Sequence, residues 1–492
     1  MAAVLVTGFT AALAGLRVCV AGLGVSGPPA ALALASRGAV VTAVDARDDA
    51  ERQALAGQLA GAGVRVLLGA ASAGTMPAGT GLVVTSPGWQ PDAPLLAAAA
   101  AAGIDVIGDV ELAWRLRPAL PGGGWQSWLA VTGTNGKTTT VMMLARMLTA
   151  AGYRAVAAGN VGTSAADVVT EAEPYEVVAV ELSSFQLHWS STIRPAAAVV
   201  LNVAAHHLDW HGDVDSYAAA KARIYAPGTV AVCNAEDARS AAMAASAAGV
   251  ARVVPFRLAE PGPGELGVAA GFLVDRAFGA NVDPAGVRLA PVAGVAGAGA
   301  GGGDRPPAPH NVANALAAAA LARAFGAPAA AIAAGLAAFR PQPHRISLVG
   351  TVAGVDFVDD SKASNPHAAA AALAAYDSVV WVAGGLFKGA DADLDRLVRQ
   401  AAPRLRAVVL LGADRGRIVT ALARHAPDVP VAEVDGTDTG VMDLVVRRAA
   451  ALAKPGDTVL LAPAAQSFDM FRDYPARGAA FAEAVWRLAA AR

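Results

Sequence analysis

Short apolar runs recur along the whole chain, and most of them end on a glycine or a polar residue. Runs at 17–21, 40–44, 82–85, 128–131, 177–180, 197–201, 230–233, 379–382, 407–411 and 458–461 predict buried strands. A strand covered on both faces reads as continuous apolar sequence rather than as alternation. Stretches of helical period lie between the runs, as at 93–102, 141–148 and 216–225. Strands alternating with helices predict parallel α/β sheets. The 492 residues exceed what one core holds, so several domains are expected. A Pro/Gly-rich stretch at 118–124 reads as a linker, and a second break falls near 342. The Gly/Ala segment at 294–309 cannot pack a core and is expected to be a mobile surface loop. The stretch 310–314 is expected to cap an Ala-rich helix.

The strongest chemical signal follows the run at 128–131. Gly133-Thr-Asn-Gly-Lys-Thr138 joins that strand to a helix. Gly133 and Gly136 permit a sharp turn that aims N–H groups inward, and the helix start adds partial positive charge. Lys137 can reach terminal phosphates, and the Thr138 hydroxyl can hold Mg²⁺. The common phosphate loop carries its first glycine at the place of Val131; this loop is the shorter form. Alone it leaves hydrolysis, kinase transfer and ligation open. Near the N-terminus the run at 17–21 enters Gly22-Leu-Gly-Val-Ser-Gly27, and Asp45 lies about 20 residues further on. This is a dinucleotide-type pattern and equally a bare turn. Asp45 suits a ribose or base donor, and Arg47 a phosphate or carbonyl. The fold class is therefore α/β with three domains: a Rossmann-like N-terminal domain at 1–119, a central P-loop ATPase-type domain at 120–342, and a Rossmann-like C-terminal domain at 343–492.

Composition narrows the class. The hydrophobic fraction is 55%, much of it Ala, so the positive mean hydropathy does not imply a membrane protein. The run at 93–102 is too short to span a bilayer, which takes about 20 apolar residues. No basic n-region marks the start as a signal peptide. Net charge is −2, which argues against a general nucleic-acid surface. Two cysteines, Cys19 and Cys233, make neither a disulfide framework nor a zinc site. A cytoplasmic monomer without membrane insertion is expected.

Further candidates sit just after strands. Glu181 ends the run at 177–180, at the sheet edge where ligands of open α/β folds bind. Its carboxylate suits Mg²⁺, with a helix cap as the lesser alternative. His206, His207 and His211 suit a metal or a solvated loop. Lys221 reads as a lysine on an amphipathic helix.

Taken together and in order, these motifs resemble the Mur ligases. Thr132-Gly-Thr-Asn-Gly-Lys-Thr-Thr139 resembles their ATP loop. Glu181-Leu-Ser-Ser-Phe-Gln186, Asn202 with His207-Leu-Asp209, and His310-Asn-Val-Ala-Asn314 follow their central domain. Pro343-His-Arg345, Asp360-Ser-Lys-Ala-Ser-Asn365 and Gly384-Gly-Leu-Phe-Lys388 follow their C-terminal domain. Ser86-Pro-Gly88, Gly108-Asp-Val-Glu-Leu112 and the Glu181 motif are most similar to the members that add D-glutamate. The resemblance spans nearly the whole chain.

It implies ATP-driven amide formation in peptidoglycan precursor synthesis. A UDP-N-acetylmuramoyl-L-alanine carboxylate attacks the γ-phosphate, and D-glutamate then attacks the acyl phosphate. ATP would contact Gly133, Thr134, Asn135, Gly136, Lys137, Thr138, Thr139, Asn314, Arg345 and Asp360. Ser26, Asp45, Arg47, Ser86, Asn160 and Ser183 would hold the UDP-linked substrate. Lys362, Ser364, Lys388, Ser467, Phe468 and Tyr474 would surround D-glutamate. Two Mg²⁺ ions are implied, held by Thr138, Glu181, His207 and a Lys221 converted to a carbamate by CO₂. Lys137, Glu181, His207 and Lys221 are then the catalytic set. The chain departs from the pattern at His206, where an acid is usual, at 307–309 with its long Gly/Ala insert, and at Leu386-Phe387. A sibling Mur ligase or a folylpolyglutamate synthase-like ligase is the nearest alternative. A non-catalytic nucleotide-binding module is the alternative from another class.

Overall fold

The computed structural model describes residues 8–278, 285–295, 307–340, 343–436 and 440–491. The centre of the expected Gly/Ala loop, 296–306, lies outside the described residues, as does the second break at 342.

The chain builds three sheets. The first holds β1 (Arg17–Ala21), β2 (Val40–Asp45), β3 (Arg65–Leu68), β4 (Leu82–Thr85) and β5 (Asp105–Gly108), all parallel, in the order β3-β2-β1-β4-β5. The order reverses between β1 and β4, so the loops after these two strands flank the crevice of a doubly wound fold. Pro28 and Pro29 sit in the first turn of the helix Gly27–Ala35, where a missing N–H costs nothing.

The second sheet holds β6 (Ser127–Thr132), β7 (Ala155–Gly159), β8 (Val177–Glu181), β9 (Ala197–Val200), β10 (Val230–Asn234) and β11 (Arg252–Phe256) as its parallel part. An antiparallel extension follows in β12 (Leu266–Ala269), β13 (Phe272–Asp275) and β14 (Val287–Pro291). No apolar run announces this extension, since its strands are only four or five residues long. β6 lies centrally, between β9 and β8, and its residues 128–131 are fully buried. The phosphate loop thus leaves an interior strand of the parallel part at its carboxyl edge.

The third sheet holds β15 (Ser347–Val352), β16 (Val355–Asp359), β17 (Val379–Gly384), β18 (Leu405–Leu411), β19 (Val431–Glu433) and β20 (Thr458–Leu461), in the order β15-β16-β20-β17-β18-β19. Only the β15–β16 pair is antiparallel. The α/β class with three sheet domains is the observed architecture. Among the described residues no helix is long and apolar enough to cross a membrane.

Glu111 fastens the first sheet's domain to the second. It is fully buried, and its carboxylate accepts from Ser191 N, Thr192 N and Thr192 Oγ1 across the boundary and from Arg115 Nε at 2.8 Å on its own helix. Removing one partner of a buried ion pair leaves the other uncompensated, at a cost of about 3–5 kcal/mol. Glu111→Ala is therefore expected to lower the thermal midpoint and to expose the 118–124 linker to protease. Thermal scanning and limited proteolysis check this; an unchanged pattern in both contradicts it.

Candidate active site

The phosphate loop is shaped by its neighbours. Gly136 is the N-cap of the helix Lys137–Ala150, with φ of 84° in the left-handed region. A Cβ on Gly136 would run into Asn314 Oδ1. Asn314 belongs to the helix Pro309–Ala324, whose N-cap is Ala308. The stretch 310–314 therefore forms the first turns of that helix and does not cap it, a correction to the sequence reading. Pro309 starts the helix because its fixed φ suits the first turn.

Two lysines share one carbonyl oxygen. Lys137 Nζ donates to Gly133 O at 3.0 Å and to Thr134 O at 2.9 Å. Lys221 Nζ donates to the same Gly133 O at 2.9 Å and to Thr132 Oγ1 at 3.3 Å. Lys221 is 1% exposed. Burial pushes its pKa well below the ordinary lysine range, Lys137 pushes it further, and Glu181 opposes both. Burial also lowers Lys137, with Glu181 opposing and Arg345 adding to the shift. The Tyr217 ring lies 4.5 Å from Lys221 Nζ, and its hydroxyl sits 3.2 Å from Thr134 Oγ1.

Glu181, 2% exposed, accepts from Thr138 Oγ1 at 2.7 Å and from Asn160 Nδ2 at 3.0 Å. Thr138, Glu181 and Lys221 thus converge on the loop. His207 stands further out. It has φ of 55°, and its ring centroid lies 3.8 Å from that of His206 and 4.7 Å from that of Phe185. Of these two imidazoles, His206 is the one that lines the cleft. Burial pushes its pKa down to about 3, helped by His207, Lys137, Lys221 and Lys388.

A cleft of about 840 Å³ separates the central and C-terminal domains. Thr134 to Thr139, Asn160, Glu181 and Asn314 line one wall. Arg345, Asp360, Lys362, Ser364 and Tyr474 line the other. Its lining does not include Gly133, Lys221, His207, Lys388, Ser467 or Phe468. Lys388 is exposed, Ser467 is buried, and Phe468 is 66% exposed. The Lys388 and Ser467 loops are joined where Leu386 and Gln466 exchange backbone hydrogen bonds. Lys362 Nζ lies 3.9 Å from the Tyr474 ring centroid. Burial brings its pKa down to about 8; Arg345 and Lys137 add to the shift and Glu181 opposes it.

The first domain's candidates form a separate group. Asp45 accepts from Leu23 N at 2.7 Å and Arg47 N at 2.9 Å, so it pins the glycine loop. Ser86 Oγ donates to Gly22 O at 3.0 Å. Ser26 hydrogen-bonds the Asp109 carboxyl, which burial pushes up to about 6. The Arg47 side chain is more than half exposed and pairs with Asp49 and Glu51. Ser183 caps its own helix through a reciprocal box with Gln186.

Among the described residues, no three of His, Cys, Asp and Glu gather as a metal set. The donors present are a hydroxyl, one carboxylate and a lysine in a place that favours its neutral form. This is an oxygen site short of protein ligands, which fits a hard cation completed by phosphate and water.

Family models match three stretches: the Mur ligase MurD-like N-terminal domain at 16–108, the Mur ligase middle domain at 131–322, and the glutamate ligase domain at 344–465. The UDP-N-acetylmuramoylalanine--D-glutamate ligase of Thermobifida fusca (strain YX) is 58% identical over 480 residues, 97% of this chain and 99% of that protein. The chain belongs to the Mur ligase family. The relative of the same name from Mycolicibacterium smegmatis is 50% identical, with 98% of each chain covered. Among solved structures, UDP-N-acetylmuramate-alanine ligase MurC from Thermotoga maritima aligns at a TM-score of 0.57 and 19% identity, covering 97% of this chain and 100% of that one. That likeness concerns the fold.

In this Mur ligase, two residues that the motifs did not single out organise the C-terminal wall. Arg477, 1% exposed, donates to Ser361 Oγ, Ser361 O and Ala465 O, tying the Lys362 loop to the Ser467 loop. Its signal was a lone cation in an otherwise apolar stretch of the last helix. Asp359 accepts from or pairs with His344 Nδ1 at 2.6 Å, holding the left-handed turn that presents Arg345. Asp360 is 8% exposed, and burial pushes its pKa up to about 7 against the pull of Arg345. A raised carboxyl favours the fold while protonated, and that advantage is lost as pH rises through about 7. Asp360→Asn should therefore raise the melting temperature of the ligand-free chain, by roughly 2–4 °C for each kcal/mol relieved. The gain should grow from pH 4 to pH 7 and level off above. A pH series of thermal scans checks it; a constant or falling gain contradicts it.

Proposed function

We propose that this Mur ligase joins D-glutamate to UDP-N-acetylmuramoyl-L-alanine, forming ADP and phosphate through an acyl phosphate. The observation that carries the reading is the cleft. A phosphate loop with Lys137, Thr138 and Glu181 faces a wall holding Lys362, Ser364 and Tyr474. The match to relatives bearing that enzyme's name supports the choice of substrates.

In the first half-reaction the substrate carboxylate oxygen attacks the γ-phosphorus and ADP leaves. Lys137 neutralises charge on the transferring phosphoryl group. In the second, the D-glutamate amine attacks the acyl carbon, the amide bond forms, phosphate leaves and the amine loses its proton to solvent. Lys362, Lys388 and Ser467 hold the two carboxylates of D-glutamate, as a dianion requires. ATP rests on 133–139, Asn314, Arg345 and Asp360. The UDP-linked substrate reaches from Ser26, Asp45, Arg47 and Ser86 past Ser183 to Asn160.

Bound Mg²⁺ would neutralise two approaching anions, with Thr138 and Glu181 holding one ion, His207 part of a second, and a carbamylated Lys221 adding a carboxylate to the set. Lys221 is suited to carbamylation because its surroundings favour the neutral amine. That amine adds to CO₂, an N–C bond forms, one proton is released, and a carboxylate replaces an ammonium that cannot ligate metal. A nucleotide-linked substrate and free, buried Cys19 and Cys233 accord with a cytoplasmic enzyme; a monomer is part of the same proposal.

The test is ADP release with purified components. ADP formation should require both the UDP-sugar-peptide and D-glutamate. Preference for L-glutamate or a diamino acid would transfer the assignment to a sibling ligase. No ligation with any amino acid would leave a nucleotide-binding module.

A further inference from the structure

Asn135 sits in the phosphate loop, yet its polar groups are taken up by the protein. Its N–H donates to Asn202 Oδ1 at 2.9 Å, and its carbonyl accepts from Asn202 Nδ2 at 3.1 Å. Its side chain then crosses the cleft. Nδ2 lies 2.8 Å from His367 Nδ1, and Oδ1 accepts from Asn365 Nδ2 at 3.4 Å. These partners are more than 200 residues away in sequence. An amide nitrogen only donates, so His367 Nδ1 accepts, and the ring is neutral with its proton on Nε2.

The C-terminal side of the contact is rigid. Asn365 is the N-cap of the helix Pro366–Leu373, its Oδ1 accepting from Ala368 N at 2.9 Å. Pro366 and His367 follow at once in the first turn. The loop before the cap carries Lys362 and Ser364, two of the D-glutamate candidates. The loop on the other side carries Lys137 and Thr138. The two loops that must bring amine and acyl phosphate together are therefore joined through one amide.

We propose that His367 is a positioning residue for ligation: by accepting from Asn135 it docks the Lys362–Ser364 loop on the phosphate loop and sets the gap between the amine and phosphoryl sites. The contact touches neither reacting group, so its effect falls on alignment. Alignment is costly to lose, since a misplacement of about 1 Å can slow a reaction by about 10². This rests on the proposed ligase reading for its kinetic arm, and on the structure alone for its scattering arm.

The test compares His367→Ala, His367→Asn and His367→Gln in the full chain. An Asn side chain offers its oxygen near the place of Nδ1, whereas Gln offers it near Nε2. His367→Ala and His367→Gln should raise the KM for D-glutamate and lower kcat/KM about three- to tenfold, the worth of one hydrogen bond. His367→Asn should recover most of the loss, with melting temperatures alike across the set. Small-angle X-ray scattering with Mg²⁺ and AMPPNP should give a compact particle for wild type and His367→Asn, and a larger one for the other two. If no variant ligates, the scattering still decides the docking role while the ligase reading fails. Equal scattering and equal D-glutamate KM across the set overturn the proposal. So does equal recovery by Asn and Gln, or a fall in melting temperature with KM unchanged.

Discussion

Lys221→Ala is expected to abolish turnover, a loss of about 10³-fold or more, because the proposed carbamate would supply a metal-holding carboxylate in the transition state. Lys221→Arg should be as inactive, since guanidinium keeps the charge and cannot form a carbamate. The pair separates two roles for one side chain. If the ammonium were the working form, as the hydrogen bonds to Gly133 O and Thr132 Oγ1 alone suggest, Arg would retain part of the activity. The crowding argues the other way. Lys137 Nζ and Lys221 Nζ donate to the same oxygen, and the shift at Lys221 is toward the neutral amine. Steady-state ADP release from both variants, with circular dichroism to verify folding, checks this.

Glu181→Gln is expected to lower kcat by about 10²–10³ while leaving the fold intact. The amide keeps the shape that spans Thr138 Oγ1 and Asn160 Nδ2, but one end becomes a donor and the charge is gone. Divalent-ion affinity should fall with it, measured as Mn²⁺ binding by electron paramagnetic resonance. In the unmodified chain Lys137 and Lys221 lose the carboxylate that favours their charged forms, so both should shift further toward neutrality. Wild-type Mn²⁺ affinity in this variant would remove Glu181 from the ion site.

The parts of the site written in consecutive residues were legible from sequence. Gly133 to Thr138 needs a buried strand before it and a helix after it, and both periodicities are local. Glu181 was legible because β8 is a continuous apolar run that ends on it. The strand ends that carry Ser86, Asn234 and Gly384 were found in the same way, whereas Asp360, at the end of β16, was reached only through the resemblance, because charged residues interrupt that strand.

What stayed hidden depends on partners far along the chain. Asn135 reads as a phosphate-loop residue, and nothing near it in sequence announces His367 or Asn365. Glu111 and Arg477 act in large part through distant backbone groups, which any residue could supply. Ser183 shows the reverse case, since Ser183-Ser-Phe-Gln186 is itself a capping-box pattern. Position 206 was legible as a departure, but only the folded loop turns that imidazole, rather than its neighbour, toward the cleft.

The proposed chemistry needs a carbamate at Lys221 that joins Thr138 and Glu181 in holding divalent cations. The direct measurement is ¹³C NMR of the full chain in ¹³C-bicarbonate, with and without Mn²⁺ and ATP. The expected result is a carbamate resonance that is absent in Lys221→Ala and is broadened away when the paramagnetic ion binds. A resonance that stays sharp with the ion bound, or none at all from an active enzyme, would contradict it.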